Sequence, residues 1–457
     1  MANKYDGNKK EKPPFVEVHF DARDSSYWFN ANGRFLKLGT RDLRLHLRAA
    51  FGLRDDIYVQ TGKGSLREID FPMYDSQMHR VVDYAGALAG HRMGIHKNSS
   101  GNVFLVTQEP SGLWDDLPKK VKAPKFFKAF VMELLPDDDQ WLHFCHWLRF
   151  GLLSLRSSDF KPGQVGVFAG PSQCGKSLLQ FIITEVLGGR QANPFAYMMG
   201  EKFNYELCAA EHWCMEDPAS TTDIRARRFF GAKLKEVTVN STIAINQKGK
   251  DALLLQIARR ATISVNDEPE NLSIIPPMDE SIKDKINLYK CRVVVEALKP
   301  FLDDQGNLDR LALRKAILDE IPQVRAWLLH KLGVLPEDQR DVRFGLKSYH
   351  HPDLVGELSN LSPESRLMSL LDEVLFQEEK DQIVKDFEGK AIDMEKALRD
   401  SRFAFEADKI LRYNGACGAY LSRLAKQHPD RISKRLNHGY AVWTIKKPLQ
   451  NEETKNE

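Results

Sequence analysis

A glycine-rich loop that ends in a lysine and a serine carries the clearest chemistry in this sequence. Residues Gly170 to Ser177 read GPSQCGKS, a complete G-x-x-x-x-G-K-S pattern. An apolar run at 165–169 precedes the loop and a helical run at 178–182 follows it, so the loop joins a predicted strand to a predicted helix. The backbone N–H groups of such a loop, together with the N-terminus of the helix, attract polyphosphate. The sequence therefore predicts a nucleoside triphosphate site.

The side chains of the loop have expected roles toward the nucleotide. Lys176 is expected to reach the β- and γ-phosphates of ATP, and the Ser177 hydroxyl is expected to hold Mg²⁺. A chance glycine-rich turn would lack the strand and the helix on its two sides. The predicted ATP-binding residues are Gly170, Pro171, Ser172, Gln173, Cys174, Gly175, Lys176, Ser177 and Leu178.

Two carboxylates follow a second apolar run. Residues 212–215 predict a short strand, and Glu216 and Asp217 follow directly after it. A nucleotide hydrolase needs acids of this kind, one for the water shell of Mg²⁺ and one to orient or deprotonate the attacking water. We expect both acids to be catalytic and to contribute to the metal site. Which acid performs which task stays open, because the order Glu-Asp reverses the commoner one.

A third strand is predicted to end at Asn266. An amide at the tip of this strand can hydrogen-bond the attacking water or the γ-phosphate, or it can simply begin the turn Asn266-Asp267-Glu268-Pro269. Between the second and third strands, the β-rich residues 237–245 and an apolar run enclose Lys248-Gly249-Lys250-Asp251. We expect a hairpin with Lys248 and Lys250 at its tip, which is either a solvated turn or a contact to a phosphate backbone.

The composition is that of an ordinary globular protein. Of the 457 residues, 42% are hydrophobic and 28% are charged, and the formal net charge is +3. The lysine-rich start of the chain lacks an apolar segment, so we expect a disordered tail rather than a signal peptide, and no membrane association. The six cysteines are scattered without a C-x-x-C pair. This pattern favours a reducing, cytoplasmic location over a disulfide framework or a zinc site.

Local signals outside the loop predict the remaining elements. Asn32-Gly33 predicts a β-hairpin, and Thr40 is expected to cap a helix that ends at Gly52. An aromatic stripe every three residues predicts a buried helical face, and Ser362-Pro363 predicts a helix start. The stripe consists of Trp141, Phe144, Trp147 and Phe150.

The predicted divisions are a tail (1–14), an N-terminal α/β module (15–125), a helical connector (126–160), a nucleotide-binding core (161–297), a helical segment (298–361) and a winged helix-turn-helix domain (362–450).

The C-terminal module is basic. Residues 401–450 contain ten Lys or Arg and three Asp or Glu, a local excess of seven positive charges. Arg431, Lys434 and Arg435 fall on the first predicted wing strand, and Arg423 and Lys426 fall on the preceding helix. A basic face of this density suits contact with DNA phosphates, although a winged helix can equally serve as a protein-docking module.

The order of these features resembles that of the superfamily 3 helicases, a branch of the AAA+ ATPases found in viruses, phages and plasmids. The loop from Gly170 to Ser177, the pair Glu216-Asp217, the hairpin from Lys248 to Lys250 and Asn266 match the family pattern in turn. Residues 80 to 450 are similar to the helicase half of phage and plasmid primase–helicase proteins. The resemblance implies an α/β fold with a P-loop AAA+ ATPase core, an N-terminal α/β module and a C-terminal winged helix. The primase–polymerase module that usually precedes this helicase is not evident, so we do not expect primer synthesis.

The same resemblance implies partners and a mechanism. It implies a homo-hexameric ring that uses ATP and Mg²⁺, binds single-stranded and duplex DNA, and works beside a separate primase or polymerase. A basic residue of the neighbouring subunit would complete each ATP site. The candidates for this residue are Lys285, Lys290 and Arg292, with Arg225, Arg227 and Arg228 as weaker ones. The function that the resemblance implies is an ATP-dependent DNA helicase or translocase acting in replication of a phage, plasmid or integrated mobile element. The alternatives to this function are a DNA-binding AAA+ initiator and a defence-type NTPase, each hydrolysing ATP without unwinding DNA.

Overall fold

The computed structural model describes ten stretches of the chain. These are residues 15–61, 64–157, 160–216, 224–249, 252–276, 278, 280–360, 362–376, 386–437 and 439–447. The predicted tail (1–14), Asp217 and Lys250 lie outside the described residues. The chain divides into a first unit, Met1–Asp267 with Ser281–Tyr349, and a second unit, Glu268–Glu280 with His350–Glu457.

Strands and helices alternate along much of the first unit, and the second unit is mainly helical. The strands are β1 (Val18–Asp21), β2 (Ser26–Ala31), β3 (Arg34–Leu38), β4 (Tyr58–Thr61), β5 (Gly64–Arg67), β6 (Val81–Val82), β7 (Tyr84–Gly86), β8 (Gly94–Lys97), β9 (Val103–Val106), β10 (Val165–Ala169), β11 (Gln191–Ala192), β12 (His212–Glu216), β13 (Thr242–Ile245), β14 (Leu253–Gln256), β15 (Arg260–Val265), β16 (Ile286–Lys290), β17 (Phe387–Gly389), β18 (Ile432–Asn437) and β19 (Tyr440–Ile445). The α-helices are α1 (Thr40–Phe51), α2 (Phe71–His79), α3 (Lys125–Leu134), α4 (Asp138–Ser157), α5 (Lys176–Val186), α6 (Phe195–Met198), α7 (Ile224–Val239), α8 (Pro269–Leu272), α9 (Arg310–His330), α10 (Pro352–Asn360), α11 (Pro363–Leu375), α12 (Ala391–Arg399), α13 (Ala404–Ile410) and α14 (Ala416–Gln427). Across the described residues, none of these helices combines the length and the apolar character that crossing a membrane requires.

A five-stranded parallel sheet lies at the centre of the first unit. Its strand order is β11-β12-β15-β10-β16, and every pair in it is parallel. Strand β10 lies between β15 and β16, with Ala169 opposite Val265 on one side and opposite Lys290 on the other. The chain is therefore a mixed α/β protein with a parallel sheet, as the sequence predicted.

Burial on both faces explains the unbroken apolar run of β10. All five residues of β10 are buried, because helices cover both faces of a parallel sheet. Phe168 stacks on Tyr289 of β16 at 5.3 Å between ring centroids, and Phe144 of α4 packs edge-on against both rings. The aromatic stripe is confirmed as core at Phe144 and Trp147, which are fully buried, whereas Trp141 and Phe150 are partly buried beside it.

The N-terminal part of the first unit contains the predicted hairpin. Strands β2 and β3 pair in antiparallel register, and Asn32 and Gly33 both have positive φ at the turn between them. The prediction for the start of α1 was wrong in one respect. Gly39, with an extended backbone, occupies the N-cap position, and Thr40 is already the first helical residue. Gly52 ends the helix in the left-handed conformation, as expected.

The second unit combines helices with a small antiparallel sheet. Its sheet order is β17-β19-β18, and α11 to α14 enclose an apolar core that includes Trp443. The Ser362 side chain accepts the Ser365 N–H and caps α11, as predicted. The sequence did not predict α13 or β17, which are only seven and three residues long.

Candidate functional site

The loop from Gly170 to Gly175 joins strand β10 to helix α5. Gln173 and Gly175 have φ values of 61° and 119°, and the helix begins at Lys176. Positive φ at a position of this kind favours glycine. Gly170 is required for a different reason, since a Cβ built there would lie 2.6 Å from the carbonyl oxygen of Cys291. The start of the loop and the backbone that follows β16 therefore approach each other closely.

Lys176 is buried at the start of this helix. Its side chain is 6% exposed. Its ammonium donates hydrogen bonds to the carbonyl oxygens of Gly170 and Pro171, both at 2.7 Å, and to Oδ1 of Asn266 at 3.1 Å. A buried ammonium needs such partners because an unpaired buried charge is very costly. The structure thus joins Lys176 to Asn266, two residues that the sequence singled out separately.

Glu216 lies at the same edge of the sheet. It is the last residue of β12 and stands opposite Ser264 of β15, two residues before Asn266. Carboxyl ends of parallel strands lie at one edge, which is where ligands bind in open α/β sheets. Glu216 and Ser177 are both exposed, and Leu178 is half-buried. The predicted partner acid Asp217 lies outside the described residues.

A buried polar network beneath the loop helix was missed by the sequence analysis. Nε2 of Gln180 donates to the Met215 carbonyl at 3.2 Å and lies 3.0 Å from the Thr262 hydroxyl. The two ring nitrogens of His212 each lie 2.7 Å from a hydroxyl oxygen, one of Thr184 and one of Thr262. Burial lowers the pKa of His212 to about 3, so this ring is neutral at physiological pH.

This network fixes the loop helix relative to the two strands that carry Glu216 and Asn266. Gln180 and Thr184 occur four residues apart in an otherwise apolar stretch of α5. Residues at this spacing share one face of a helix. Polar side chains within a buried helical face are the signal that could have identified the network.

The segment after β16 packs against the loop of the same chain. The Cys291 N–H donates to the Ala169 carbonyl at 2.7 Å, and the Val294 N–H donates to the Cys174 carbonyl at 3.2 Å. Between them, Arg292 presents an exposed side chain. Gln140 of α4 accepts the Lys290 N–H at 2.7 Å and donates to its carbonyl at 3.2 Å. Lys290 and Arg292 therefore lie at the loop edge of their own subunit.

Lys285 lies at the opposite edge of the sheet. It immediately precedes Ile286, which pairs with Val165 at the amino end of β10. Its ammonium contacts the Asp284 carboxylate at 2.6 Å. The weaker candidates Arg225, Arg227 and Arg228 fall in the first turns of α7. The topology thus separates the three main candidates into one at the far edge and two beside their own loop.

The predicted basic hairpin is formed by β13 and β14, with Ile245 opposite Leu253. The prediction was wrong for residues 237–239, which end helix α7 instead of extending the first strand. The buried Asn204 holds the end of β13, since its Nδ2 donates to the Ala244 carbonyl at 3.0 Å and its Oδ1 accepts the Asn246 N–H at 2.8 Å. Lys248 is exposed beyond this point, whereas Lys250 lies outside the described residues.

Several basic side chains of the second unit are engaged by acids of the same unit. Arg431 donates to both carboxylate oxygens of Asp372, at 2.8 and 3.2 Å, and to the Lys446 carbonyl at 3.0 Å. Arg435 is paired with Glu388, and Arg423 is paired with Glu364. Lys434 is exposed and its ammonium lies 5.3 Å from the centre of the Trp443 ring. Lys426 is exposed near the end of α14.

The acidic partners precede residue 401 and so fell outside the window that gave the local excess of seven charges. The structure therefore reduces the basic face predicted from composition. Of the described wing-strand residues, Lys434 is the exposed cation that does not depend on a carboxylate in the structure. Arg431 has the strongest pairing of these residues, because its guanidinium donates to both oxygens of the Asp372 carboxylate.

Comparisons with solved structures establish the fold. The chain matches the apo structure of the NrS-1 C-terminal region with a TM-score of 0.56 and 15% identity, over 96% of this chain and 100% of that one. A second apo structure of that region (305–718) matches with a TM-score of 0.54 and 14% identity, over 95% and 96% of the two chains. At these identities, the similarity shows a shared fold alone.

The other comparisons add no argument about function. The structure described as SCCmec type IV Cch, an active helicase, is similar at a TM-score of 0.28 and 11% identity, over 92% of this chain and 74% of that one. That score is too low to carry a conclusion. No protein-family model matches the sequence, and no curated protein matches it significantly.

The close approach at Gly170 generates a prediction about stability. A Gly170→Ala substitution should lower the free energy of unfolding by about 1–3 kcal/mol, because the added Cβ forces the loop away from Cys291. Gly333→Ala is the matched control, since a Cβ built at Gly333 meets no atom within 4 Å. Urea denaturation of both variants measures the difference. Equal stabilities would show that the loop can move without cost.

Proposed function

We propose that the protein is an ATP-dependent DNA helicase or translocase of superfamily 3 type, acting in the replication of a phage, plasmid or integrated mobile element. One observation carries the proposal. The Lys176 ammonium is bonded to the carbonyls of its own glycine-rich loop and to Asn266 at the carboxyl edge of a parallel sheet. This is the arrangement expected for a P-loop AAA+ ATPase core with a polar residue beside the γ-phosphate.

The residues present at this edge fit ATP and Mg²⁺. The N-terminus of α5 offers backbone N–H groups and the positive end of a helix dipole. The oxygens that now hold the Lys176 ammonium are the kind of partner that phosphate oxygens can replace. Ser177 and Glu216 are exposed oxygen donors of the type that Mg²⁺ prefers. Bound Mg²⁺ would neutralise charge that develops on the β- and γ-phosphates.

The chemistry assigned to the chain is the activation of water. In this proposal, Glu216 accepts a proton from the attacking water or orients it, with Asp217 as the second acid. The Oδ1 atom of Asn266 accepts from Lys176. Its Nδ2 group is therefore the part that can donate to the γ-phosphate or to the water. Lys176 would stabilise the negative charge of the transition state.

ATP sites at the boundaries of a homo-hexamer would explain the position of Lys285. A residue at the amino edge of its own sheet cannot serve the loop at the carboxyl edge, but it can serve a neighbouring copy. We therefore assign Lys285 as the residue that acts across the boundary. Lys290 and Arg292, which lie beside their own loop, are assigned to the subunit that carries them.

Two surfaces are proposed to contact DNA. Lys248 and Lys250 at the hairpin tip would grip the phosphates of a single strand as hydrolysis moves the hairpin. The second unit, taken as a winged helix, would contact duplex DNA through Lys434 and, to the extent that its pair with Glu388 opens, through Arg435. A separate primase or polymerase would supply the synthesis that follows unwinding.

Substitutions in the ATP site test hydrolysis. Lys176→Ala should abolish turnover, and Glu216→Gln should reduce it by about 10²–10³-fold while ATP binding persists, because the lost groups act on developing charge. Glu206→Gln, a change at an exposed acid on a neighbouring segment, is the control. Steady-state phosphate release and nucleotide binding are measured together. If turnover by Glu216→Gln stayed within about twofold of the wild type, Glu216 would lower the activation free energy by less than ~0.4 kcal/mol. Glu216 would then not be a catalytic residue.

Mixing variants tests the shared site. Lys285→Ala and Lys176→Ala subunits should each be inactive alone and should regain partial ATPase activity when mixed, since each supplies what the other lacks at a boundary. Arg292→Ala mixed with Lys176→Ala should show no such rescue, because both changes then fall in the same half of the site. Rescue by Arg292→Ala and none by Lys285→Ala would reverse the assignment.

The two DNA surfaces should fail in different ways. Changing Lys248 and Lys250 together to Ala should abolish strand displacement on forked DNA and DNA-stimulated hydrolysis, while binding to duplex DNA persists. Lys434→Ala should instead reduce the slope of log affinity against log salt for duplex DNA by about 0.9, the value expected for one phosphate contact.

Arg431→Ala is the matched control for the wing. Because Arg431 is paired with Asp372, this change should lower the melting temperature of the protein. It should leave the slope of log affinity for DNA against log salt nearly unchanged. ATP hydrolysis without strand displacement in the wild-type protein would favour the initiator or defence-type alternative. Unwinding that survives the double lysine change would remove the hairpin from the motor.

A further inference from the structure

Two of the six cysteines meet at the phosphate loop. Cys174 is the residue before Gly175, and Cys291 is the first residue after β16. Both side chains are buried, at 1% and 2% exposure. The two side chains are close enough for each to shift the pKa of the other. All six cysteines are free thiols in the structure.

The backbone holds these two thiols together from both sides. The Cys291 N–H donates to Ala169 at 2.7 Å, and the Val294 N–H donates to the Cys174 carbonyl at 3.2 Å. A Cβ built on Gly170 would lie only 2.7 Å from the Cβ of Cys291. The segment from 291 to 294 is thus fastened to both ends of the loop. A disulfide requires this kind of close, fixed approach between two chain segments.

The charged and buried surroundings of Cys174 and Cys291 shift the pKa values of the two thiols in opposite directions. The Lys176 ammonium lies 3.8 Å from the sulfur of Cys174. The hydrogen bond from Cys291, together with the charge of Lys176, lowers the pKa of Cys174 to about 6. Burial, its bond to Cys174 and the nearby Asp267 carboxylate raise the pKa of Cys291. At neutral pH, Cys174 is a thiolate and Cys291 is a thiol.

The other cysteines do not share this environment. Burial raises the pKa of Cys208 to about 11 and the pKa values of Cys214 and Cys417 to about 12. Burial also raises the pKa of Cys145. Thiolates are the nucleophiles, so reactivity toward electrophiles should be concentrated at Cys174.

We propose that Cys174 is a modification site, a peroxide-reactive thiolate inside the phosphate loop, and that Cys291 is the thiol that resolves it to a disulfide. In the first step, the Cys174 thiolate attacks one oxygen of hydrogen peroxide, an S–O bond forms, the O–O bond breaks, and hydroxide leaves. In the second step, the hydroxide accepts the Cys291 proton, the Cys291 sulfur attacks the sulfenic sulfur, and a second hydroxide leaves and is protonated. One thiolate, one thiol, one peroxide and one proton from solvent give one disulfide and two waters.

The consequence for the nucleotide rests on the proposed function. Lys176 serves both the Cys174 thiolate and, in that proposal, the β- and γ-phosphates. Thiolate and phosphate therefore compete for one ammonium, and bound ATP should raise the pKa of Cys174 and protect it. A disulfide would fasten the loop to β16 and prevent the rearrangement that phosphate binding requires. Oxidation should thus switch off nucleotide binding reversibly.

The first experiment needs no nucleotide. The fully reduced protein is treated with iodoacetamide across pH 5 to 9, and alkylation is followed at each cysteine by peptide mass spectrometry. Cys174 should react at least about tenfold faster than Cys417 at pH 7, with a half-maximal rate near pH 6. Cys417 is the matched control because it is equally buried. Equal rates at the two positions would overturn the proposal.

The second experiment identifies the disulfide. After one equivalent of hydrogen peroxide, a tryptic digest without reductant should contain the peptide that ends at Lys176 joined to the dipeptide Cys291-Arg292. Dithiothreitol should release it. Absence of this joined peptide, when Cys174 has been oxidised, would remove Cys291 as the resolving thiol.

Two variants of one residue separate the contributions of Cys291. Cys291→Ser keeps a hydrogen-bond donor, so the fast alkylation of Cys174 should persist while the disulfide disappears and sulfenic acid accumulates. Cys291→Ala removes the donor, so the half-maximal alkylation pH should also rise. Identical pH profiles for the two variants would show that Cys291 does not set the reactivity of Cys174.

Protection by ATP distinguishes this inference from the proposed function. Slower alkylation of Cys174 with ATP and Mg²⁺ supports both. Fast alkylation and disulfide formation that ATP does not alter would confirm the modification site and count against the nucleotide site. Slow alkylation of Cys174 in a protein that binds ATP would do the opposite.

Discussion

Strand β10 forms parallel hydrogen bonds with β15 on one side and with β16 on the other. Because the three strands run in the same direction, the residues that follow them emerge at one edge of the sheet. The glycine-rich loop, Asn266 and Cys291 are brought together in this way, although they come from distant parts of the chain. Strand β12 adds Glu216 through its pairing with β15. The same register sends Lys285, which precedes β16, to the other edge.

The buried ammonium of Lys176 determines the electrostatics of this edge. A charge that is 6% exposed is tolerable only with close polar partners, and the loop supplies two carbonyls while β15 supplies Asn266. The same ammonium stabilises the Cys174 thiolate. Loop conformation, the orientation of the Asn266 amide and thiol ionisation are therefore coupled through one side chain. Any anion that enters the loop competes with all of these partners.

Uncharged or mutually neutralised polar groups connect the elements within each unit. The Gln180, Thr184, His212 and Thr262 side chains connect α5 to two strands, and burial keeps the His212 ring neutral. Asn204 holds the base of the β13–β14 hairpin. In the second unit, the pairs of Arg431 with Asp372 and of Arg423 with Glu364 hold helices to a strand and to each other. Side chains that look free in the sequence thus stabilise the elements that carry the exposed lysines.

The sequence by itself determined the features that depend on neighbouring residues. The strand, loop and helix around Lys176, the strand that ends at Glu216, the Asn32-Gly33 turn and the Ser362 cap all follow from local patterns of apolar residues, positive φ and capping. Tertiary structure alone decided which distant residues meet. It placed Asn266 on Lys176 across 90 residues, Cys291 against Gly170, and Asp372 on Arg431 across 59 residues. It also ended α7 at Val239, where the β-branched run had predicted a strand. These contacts depend on strand order and helix packing, and a local window of sequence contains neither.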